Sequence, residues 1–401
     1  MSDYENRKMR EQKRAARMRA KKKRRMKRAL VLIVEILILC LLGGAAYVMA
    51  KYDKFQTVAF GENDIVANEG VNWKGYKTIA LFGGDSRTGD LEEGAQSDTI
   101  IIAAINSDTK EVRLASVFRD TTVKQADNKI HKANYAYFTG GPKDAINMLN
   151  RNFDLDIQDY VTVDFKALAD VVDLLGGIEI DVSDDEVKEM NRHIEGTGAV
   201  AGKEVHKLEE GGTYTMDGVQ AVTYARIRKN VGGDYKRTER QQIVIKKVVE
   251  KAKGMDLATI NKIINKVFPQ ISTSFSLADM VGLAAGALDY EIKDSSGFPM
   301  EAMNGRIDGL GSVIVPVGLV ENVKELHSFL YPDEKPEKVS DAVKEIATEI
   351  EELTGITREN LEDSDADINR SSYSVAQQEA KKASEEKKLS ESELSNEQKK
   401  E

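Results

Sequence analysis

A long apolar run near the start of the chain, followed by shorter apolar segments, predicts how the protein is organised. Residues 29–50 read ALVLIVEILILCLLGGAAYVMA and follow a mostly basic segment, residues 1–28. As a helix rising about 1.5 Å per residue, this run is about 30 Å long, the hydrocarbon thickness of a bilayer. It predicts one transmembrane helix. A cleaved signal peptide is the alternative, although its apolar region is usually only about 7–15 residues long.

Short apolar strands alternating with helical segments characterise the chain from Thr78 onward. Short apolar runs predict strands at TIALF (78–82), TIIIAAI (99–105), EVRLASVF (111–118), DYVTVDF (159–165) and IEIDV (178–182). Apolar residues at helical spacing predict helices at 143–153, 166–175 and 235–253, and a short helix or turn is predicted at 219–227. Residues 183–212 are polar and are predicted to be a surface excursion. Alternating strands and helices indicate an α/β fold, with a mixed β-sheet flanked by helices.

The same pattern divides the chain into segments. They are a basic segment at 1–28, the transmembrane helix at 29–50, a stalk at 51–77, a main domain at 78–253, a C-terminal extension packed on it at 254–332 and a tail at 333–401. Within the extension, helices are predicted near 257–267 and 277–289, and a strand at 312–317. The tail begins as an acidic helix but is predicted to be largely disordered, because so few apolar residues cannot offset the entropy of ordering.

Charge is distributed unevenly and predicts the orientation in the membrane. Residues 1–28 hold 14 Lys and Arg against 3 Asp and Glu, whereas the whole chain has a net charge of −9. By the positive-inside rule the N-terminus is cytoplasmic and the C-terminal domain is extracellular, in a single-pass cell-membrane protein. Beside an apolar span, the basic segment is expected to contact anionic lipid headgroups and not nucleic acid. The one cysteine, Cys40, lies within the span, so the outer domain has no disulfide and no thiol nucleophile.

The candidate chemistry consists of arginines and aspartates at the ends of predicted elements. Motifs for a P-loop, a zinc protease, a nucleophile elbow or a Cys/His metal site are absent from the sequence. The polar positions are Asp85 and Arg87 in GGDSR, Asp98 before TIIIAAI, Arg119 in FRDT, Arg226 and Arg228 in YARIR, and Asp234, Arg237, Arg240 and Gln241 in DYKRTERQ. Each of these alone is commonly a turn, a cap or a surface ion pair.

Two arginines at the start of a helix make the case for an anion site. Arg237 and Arg240 lie near the N-terminus of the predicted helix 235–253, where the helix dipole disfavours cations. In a domain of net negative charge, this placement predicts a bound anion. Arginine binds phosphate oxygens in a bidentate fork, and Mg²⁺ is held by one or two carboxylates together with phosphate oxygens. The set therefore predicts a diphosphate site with Mg²⁺, suited to phosphoryl transfer.

At these residues the chain resembles the LytR–CpsA–Psr family. The resemblance covers about Thr78 to Lys253, and the blocks that carry it are, in order, LFGGDSR, SDTIIIAAIN, LASVFRDT, DYVTVDFKALADVVDLLGGIEIDV, DGVQAVTYARIR and DYKRTERQQ. It implies a mixed sheet flanked by helices, with an apolar pocket for a lipid. It also implies an enzyme that moves an undecaprenyl-diphosphate-linked glycopolymer, such as teichoic acid, capsule or another secondary wall polymer, onto peptidoglycan through a phosphodiester link.

The resemblance assigns roles to individual residues. It implies that the diphosphate is bound by Arg87, Arg119, Arg226, Arg228, Arg237, Arg240 and Gln241. Asp85 and Asp98 fall on metal-binding or proton-accepting positions, and Asp234 matches an acidic position before the helix. The residues expected to be catalytic are thus Asp85, Asp98, Arg119 and Arg226.

Some positions depart from the family pattern or admit two roles. Phe118 replaces the usual proline before Arg-Asp-Thr, and KIHKANYAY matches a family segment only in part, which affects the lip of the pocket more than the diphosphate site. Candidates to line the lipid pocket, with ordinary core packing as the alternative, are Val171, Val172, Leu174, Leu175 and Ile178.

Alternatives to the transferase remain open at this point. One is a non-catalytic extracellular protein that binds polyprenyl phosphates or wall glycans, or regulates their use, and another is a phosphatase acting on the same lipid. The expected partners are the polyprenyl-diphosphate-linked glycopolymer, peptidoglycan and the membrane, and no nucleic acid. The identity of the polymer, the acceptor hydroxyl and the general base do not follow from the sequence.

Overall fold

The computed structural model describes residues 46–85, 91, 96–334, 338–359 and 369–370. The chain divides into two compact units, Met1–Lys54 and Phe55–Glu401. In the first unit, residues 46–52 are helical. Most of the predicted span at 29–50 lies outside the described residues, and no helix within them combines the length and apolarity needed to cross a bilayer.

The second unit is built around a mixed β-sheet. Its strands, in chain order, are β1 (Gln56–Thr57), β2 (Tyr76–Asp85), β3 (Gln96–Asn106), β4 (Glu111–Val117), β5 (Thr122–Lys124), β6 (Ile130–Lys132), β7 (Asp159–Asp164), β8 (Ile178–Val182), β9 (Gly212–Met216), β10 (Ile271–Thr273), β11 (Glu291–Phe298), β12 (Glu301–Ile307), β13 (Gly311–Pro316) and β14 (Asn369–Arg370). The central sheet has the order β1-β10-β7-β2-β3-β4-β11. Strands β2 and β7 are parallel, whereas β3 is antiparallel to both of its neighbours.

Helices cover both faces of this sheet. In chain order they are α1 (Ala133–Phe153), α2 (Phe165–Leu174), α3 (Asp184–Ala201), α4 (Gly218–Arg226), α5 (Gly233–Ala252), α6 (Leu257–Val267), α7 (Leu277–Ala285), α8 (Leu319–Leu330) and α9 (Asp341–Thr354). The predicted α/β class, with a central mixed sheet flanked by helices, is confirmed.

Alternate residues of the strands pack in two separate clusters. On one face Phe82 and Ile102 pack with side chains of α1, α8 and α9. On the other face Ile79 and Ile101 pack with side chains of α5 and α7. Because successive strand residues point to opposite faces, a strand buried on both faces is apolar throughout, which explains the run TIIIAAI.

A second core lies beside the sheet and corrects one prediction. Residues 183–212, expected to be a surface excursion, contain helix α3, which begins with a capping box between Ser183 and Glu186. Met190 and Ile194 of α3 are buried. Strand β8 pairs with β9 and not with the central sheet. The prediction was wrong because the exposed side of an amphipathic helix dominates the composition of this segment.

The C-terminal region contains the acidic helix that was expected at the start of the tail. This helix, α9, buries Val343, Ile346 and Ile350 in the cluster with α1 and α8. Strand β14 pairs with β12. A helical apolar stripe is sufficient for this packing, although the segment is acidic on average. Residues 360–368 and 371–401 lie outside the described residues.

A buried histidine predicts how stability depends on pH. His327 of α8 packs against Trp73 at a ring distance of 4.5 Å, and its Nε2 lies 2.7 Å from the carbonyl oxygen of Phe153. Burial lowers the pKa of His327 to about 4. In the unfolded chain the pKa is about 6.5, so between these values only the unfolded chain binds the proton, and stability falls as the pH falls.

We expect acidification from pH 7 to pH 4 to cost about 3 kcal/mol of unfolding free energy through His327. The measurement is urea unfolding at several pH values, followed by the fluorescence of Trp73, the one tryptophan of the chain. The variant His327→Gln should lose this part of the pH dependence. Parallel curves for wild type and variant would contradict the prediction.

Candidate functional site

A β-bulge in β3 places Asp98 near the end of this inner strand of the central sheet. Gly83 of β2 pairs with Thr99 and Gly84 pairs with Ser97, so Asp98 is the extra residue on β3. A bulge changes the direction of a side chain. This bulge lies where β2 and β4 end. Gly83 permits the close approach of the strands, since a Cβ at this position would lie 2.8 Å from the Cβ of Thr99.

Arg119, just after β4, holds Asp98 within a chain of ion pairs. Its Nη1 lies 2.5 Å from Oδ1 of Asp98, and its Nε lies 3.4 Å from Oδ2 of Asp120. Lys132 of β6 approaches the other oxygen of Asp120 at 2.9 Å. Two carboxylates therefore fix the direction of the Arg119 guanidinium.

Two arginines, separated by one residue, lie at the end of α4. Arg226 is the last residue of the helix, and its guanidinium lies over the ring of Phe165 at 4.2 Å. Its Nη1 lies 3.5 Å from Oγ1 of Thr197 on α3. The buried residue Ile227 is extended, so Arg226 and Arg228 lie on either side of a helix end and not on one extended segment.

The first turns of α5 contribute two side chains to the site and direct a third elsewhere. Arg237 and Gln241, one helical turn apart, line the same cavity as Arg226. Arg240 points away from it: its Nε lies 2.7 Å from Oε1 of Glu186, and its Nη2 donates to the carbonyl oxygen of Val231 at 2.6 Å. The Arg240 guanidinium therefore connects α5 to α3 through Glu186. This arrangement does not fit the expectation that Arg240 binds a diphosphate.

These elements enclose a cavity of about 410 Å³. Its lining combines one carboxylate with several cations, and its members are Asp98, Phe165, His193, Gly196, Thr197, Val200, Arg226, Arg228, Lys229, Arg237 and Gln241. Nη2 of Arg228 lies 3.6 Å from Oδ2 of Asp98. Positive charge prevails in this lining although the chain as a whole is acidic, so the cavity is suited to a polyanion.

The arginines determine the protonation state of Asp98. Burial raises the pKa of Asp98, but the nearby charges of Arg119, Arg237 and Arg228 outweigh it, so the pKa lies below its ordinary value. Asp98 is therefore ionised at neutral pH. An anion that draws these guanidinium groups toward itself would raise the pKa of Asp98 and make it a stronger base.

Helix α3 supplies residues that sequence reasoning missed. His193, Thr197 and Val200 line the cavity from this helix. Nε2 of His193 lies 3.0 Å from Oε1 of Glu189, a carboxylate that is itself buried. The spacing of four residues between Glu189 and His193 would indicate this pair only after the segment had been recognised as a helix. Phe165 and Lys229 also line the cavity but were not predicted to do so, because Phe165 was predicted to end a strand and Lys229 lies just after the motif YARIR.

Some predicted site residues lie at the limit of what the structure describes. Arg87 and the side chains of Asp85 and Asp234 lie outside the described residues. The main chain of Asp85 pairs with Gln96, two residues from Asp98. Within the described side chains, no group of three or more His, Cys, Asp or Glu residues is arranged to hold a metal ion.

An apolar cavity of about 220 Å³ adjoins the charged one, because Phe165 and Gln241 line both. The rest of its lining comes from the central sheet and from helices α2, α4 and α5, including Leu81, Ile101, Val161, Leu168, Val222, Val244 and Ile245. The residues predicted as its lining lie elsewhere. Val172 and Ile178 are buried in the second core, and Leu175 is buried outside this cavity. Val171 and Leu174 do not line it either.

Known proteins are similar to this chain in sequence. The model of the LytR_cpsA_psr family matches residues 47–327. Polyisoprenyl-teichoic acid–peptidoglycan teichoic acid transferase TagU of Enterococcus faecalis is 30% identical over 216 residues, 53% of this chain and 65% of that protein. The corresponding transferase TagV of Bacillus subtilis is 26% identical over 269 residues, 63% of this chain and 65% of that protein. The chain thus spans just under two thirds of the length of these relatives.

A solved structure agrees in fold. The LytR-CPS2A-psr family protein YwtF (TagT), with bound octaprenyl pyrophosphate lipid, superimposes with a TM-score of 0.51 and 22% identity over 68% of this chain and 99% of that one. A protein of the same name was solved from Bacillus subtilis. The family model covers well over half of the chain, and the chain belongs to the LytR_cpsA_psr family.

Proposed function

We propose that this protein is a membrane-anchored phosphotransferase that moves a polyprenyl-diphosphate-linked glycopolymer onto peptidoglycan. One observation carries the proposal: a cavity lined by Arg226, Arg228, Arg237 and the ionised Asp98 opens beside an apolar cavity. A charged site next to an apolar one matches the two parts of a polyprenyl diphosphate. The names of the relatives TagU and TagV support a transferase of teichoic acid.

The donor binds across both cavities. The diphosphate lies against the guanidinium groups of Arg226, Arg228 and Arg237, which bind its oxygens as bidentate forks. The first isoprene units enter the apolar cavity past Phe165 and Gln241, the two residues that line both spaces. Arg119 reaches the diphosphate from the side of Asp98. This arrangement aligns the diphosphate for attack without covalent help from the protein.

The reaction is an in-line displacement at phosphorus. A sugar hydroxyl of peptidoglycan attacks the phosphorus nearer the glycan. The bond between this phosphorus and the bridging oxygen of the diphosphate breaks. Polyprenyl phosphate leaves, and the glycan remains joined to the acceptor through a phosphodiester. The hydroxyl proton passes to a carboxylate, Asp98 or Asp85. Asp98 becomes a stronger base when the diphosphate draws its arginines away, because those arginines hold its pKa down.

A divalent cation, Mg²⁺, fits this site as a partner of the diphosphate. The ionised Asp98 and the neighbouring strand end at Asp85 would hold it, and Mg²⁺ needs only one or two carboxylates when phosphate oxygens complete its shell. When bound, it neutralises charge on the diphosphate. A dedicated cluster of acidic residues is not required for this role.

Removal of divalent cations is expected to lower transfer at least about a hundredfold, in line with the loss of a major charge-stabilising group. The assay follows labelled glycan from a polyprenyl diphosphate donor to peptidoglycan, in EDTA and after Mg²⁺ is restored. Addition of Ca²⁺ in place of Mg²⁺ is a control for charge alone. An unchanged rate in EDTA would remove the metal from the proposal.

The sequence supports a location for this chemistry. Residues 1–28 lie in the cytoplasm, residues 29–50 span the membrane and the domain lies outside the cell, where peptidoglycan is found. Helices α8 and α9, from the segments after residue 253, pack into the core that holds the central sheet.

The products distinguish the transferase from its alternatives. Purified full-length protein is incubated with the donor, with and without peptidoglycan. A transferase yields phosphodiester-linked glycan and releases polyprenyl phosphate only when the acceptor is present. A phosphatase would release phosphorylated products without the acceptor. A binding protein would retain the donor and form no product, which would overturn the proposal.

A further inference from the structure

One helix of the domain is apolar on both of its sides. Between Asp279 and Asp289 the chain reads MVGLAAGAL, with no charged residue. Met280 and Leu283 of α7 pack inward, against the sheet cluster that contains Ile101. A helix that only covers a sheet would carry polar residues on its outer side.

The outer side of α7 is apolar and exposed. Ala278, Val281 and Ala285 recur at helical spacing, and Leu288 lies in the turn that follows. Val281 is 50% exposed and Leu288 is 74% exposed. No residue of α7 whose side chain is described is buried. Ala278, Val281, Ala285 and Leu288 form the α7 surface.

We propose that the α7 surface docks on the lipid bilayer, with Val281 and Leu288 inserted at the level of the headgroups and upper acyl chains. The proposal rests on the membrane anchoring given under the proposed function. A helix with an exposed apolar side and a cationic neighbour is typical of interfacial binding.

The position at which the chain enters the domain supports this orientation. Phe55, the first residue of the second unit, packs against Phe268 with 3.9 Å between the ring centroids, and β1 pairs with β10. Three residues separate the end of β10 from the start of α7. The predicted span ends at residue 50, and a tether of this length reaches at most about 17 Å. Since a domain of this size is about 50 Å across, the face that carries Phe55 must lie near the bilayer.

Residues that line the apolar cavity pack in the cluster that also contains the inward side of α7. Leu81, Ile101 and Ile245 line the cavity and belong to the same cluster as Met280 and Leu283. The cavity of about 220 Å³ is smaller than the roughly 300–1,000 Å³ of a site for a drug-sized ligand, and a polyprenyl chain is longer than such a ligand. A cavity of this volume holds only part of a polyprenyl chain, and docking of the α7 surface lets the remainder lie in the bilayer.

Charge beside α7 favours anionic lipid. Ile245 of helix α5 packs in the same cluster as Met280 and Leu283 of α7. The C-terminal half of α5 and the residue after it carry Lys246, Lys247 and Lys253 against one acidic residue, Glu250, while Lys251 donates to the carbonyl oxygens of Gly176 and Gly177. Lysines near a membrane surface are attracted to anionic headgroups. A local excess of lysines in an acidic chain is the charge expected at a lipid-facing side.

Fluorescence of the full-length protein in anionic nanodiscs tests the proposal. In a Cys40→Ser background, which removes the one native cysteine, the variant Val281→Cys carries an environment-sensitive dye. The matched control is Leu353→Cys on α9, because Leu353 is 49% exposed and α9 packs on the other face of the sheet. We expect lipids with a quencher in the upper acyl chain to quench the dye at position 281 at least about twofold more than at 353.

The outcomes separate this proposal from its competitors. Equal quenching at both positions would overturn it. A blue shift at position 281 that appears without lipid quenching would indicate a second copy of the chain on this surface and would also overturn it. Since the quenching requires no turnover, its result does not depend on whether the protein is a transferase.

An activity measurement complements the fluorescence. The double variant Val281→Glu and Leu288→Glu is expected to lower transfer from a bilayer-embedded donor about tenfold and to leave transfer from a short-chain, water-soluble donor unchanged. Leu353→Glu should change neither. Equal losses with both donors would show that the substitutions damage the fold and would count against docking.

Discussion

Replacement of Arg226 by alanine is expected to reduce glycan transfer at least about a hundredfold, the usual cost of one lost charge-stabilising donor. Its guanidinium lies over the ring of Phe165 at 4.2 Å and lines the charged cavity, so its position is fixed before the donor binds. Preorganised charge stabilises the transition state without a reorganisation cost. Loss of Arg119, whose Nη1 contacts Asp98, should have a similar effect.

Two further variants test the reason for this loss. Arg226→Lys keeps the charge but loses the planar fork and its stacking on Phe165, so we expect it to recover only part of the activity. Arg306→Ala is the matched control, since Arg306 is exposed on β12 and does not line the cavity. Circular dichroism and thermal unfolding verify that each variant folds. Full transfer activity in both Arg226→Ala and Arg119→Ala would refute the assignment of the site.

The variant Asp98→Asn is expected to lower turnover without weakening binding of the lipid. Transfer should fall by about 10²–10⁴, the contribution of a general base, because an amide neither accepts the proton nor holds Mg²⁺ as a carboxylate does. Binding of a short polyprenyl diphosphate should be kept or become tighter, because Asp98 no longer competes with the diphosphate for Arg119 and Arg228. Isothermal titration with the lipid and the transfer assay measure the two effects on the same preparation.

Asp120→Asn is the control for this variant. Asp120 also contacts Arg119, but it pairs with Lys132 and does not line the cavity. We expect its loss to lower transfer by no more than about tenfold, as for a residue that positions another. Intact transfer in Asp98→Asn would refute the roles of Asp98 as a base and as a ligand of Mg²⁺. Loss of binding together with transfer would assign Asp98 a structural role.

Local patterns in the sequence were sufficient for much of the fold. The apolar runs TIALF and TIIIAAI predicted β2 and β3, and helical spacing predicted α2 and α5. Such predictions succeed because strand and helix periods are properties of neighbouring residues. They failed for α3, where polar composition concealed a narrow apolar stripe, and for β11 and β12, which no apolar run predicted.

The composition of the site was also predictable in part. Arg226, Arg228, Arg237, Gln241 and Asp98 were named from their types and positions, and they line one cavity. Arg240 lies only three residues after Arg237, yet it turns to Glu186 and Val231. His193 and Thr197 were missed because their helix was not recognised.

The sequence by itself determined which chemistry is available: arginines and aspartates at the ends of apolar strands and at the start of a helix, behind an apolar span. Only the tertiary structure decided which of these groups meet. The bulge at Asp98 depends on the pairing of two strands, and the turn of Arg240 away from the cavity depends on the packing of α5 against α3. Distances between groups far apart in the chain are set by the packing of whole elements, and no local pattern of residues records them.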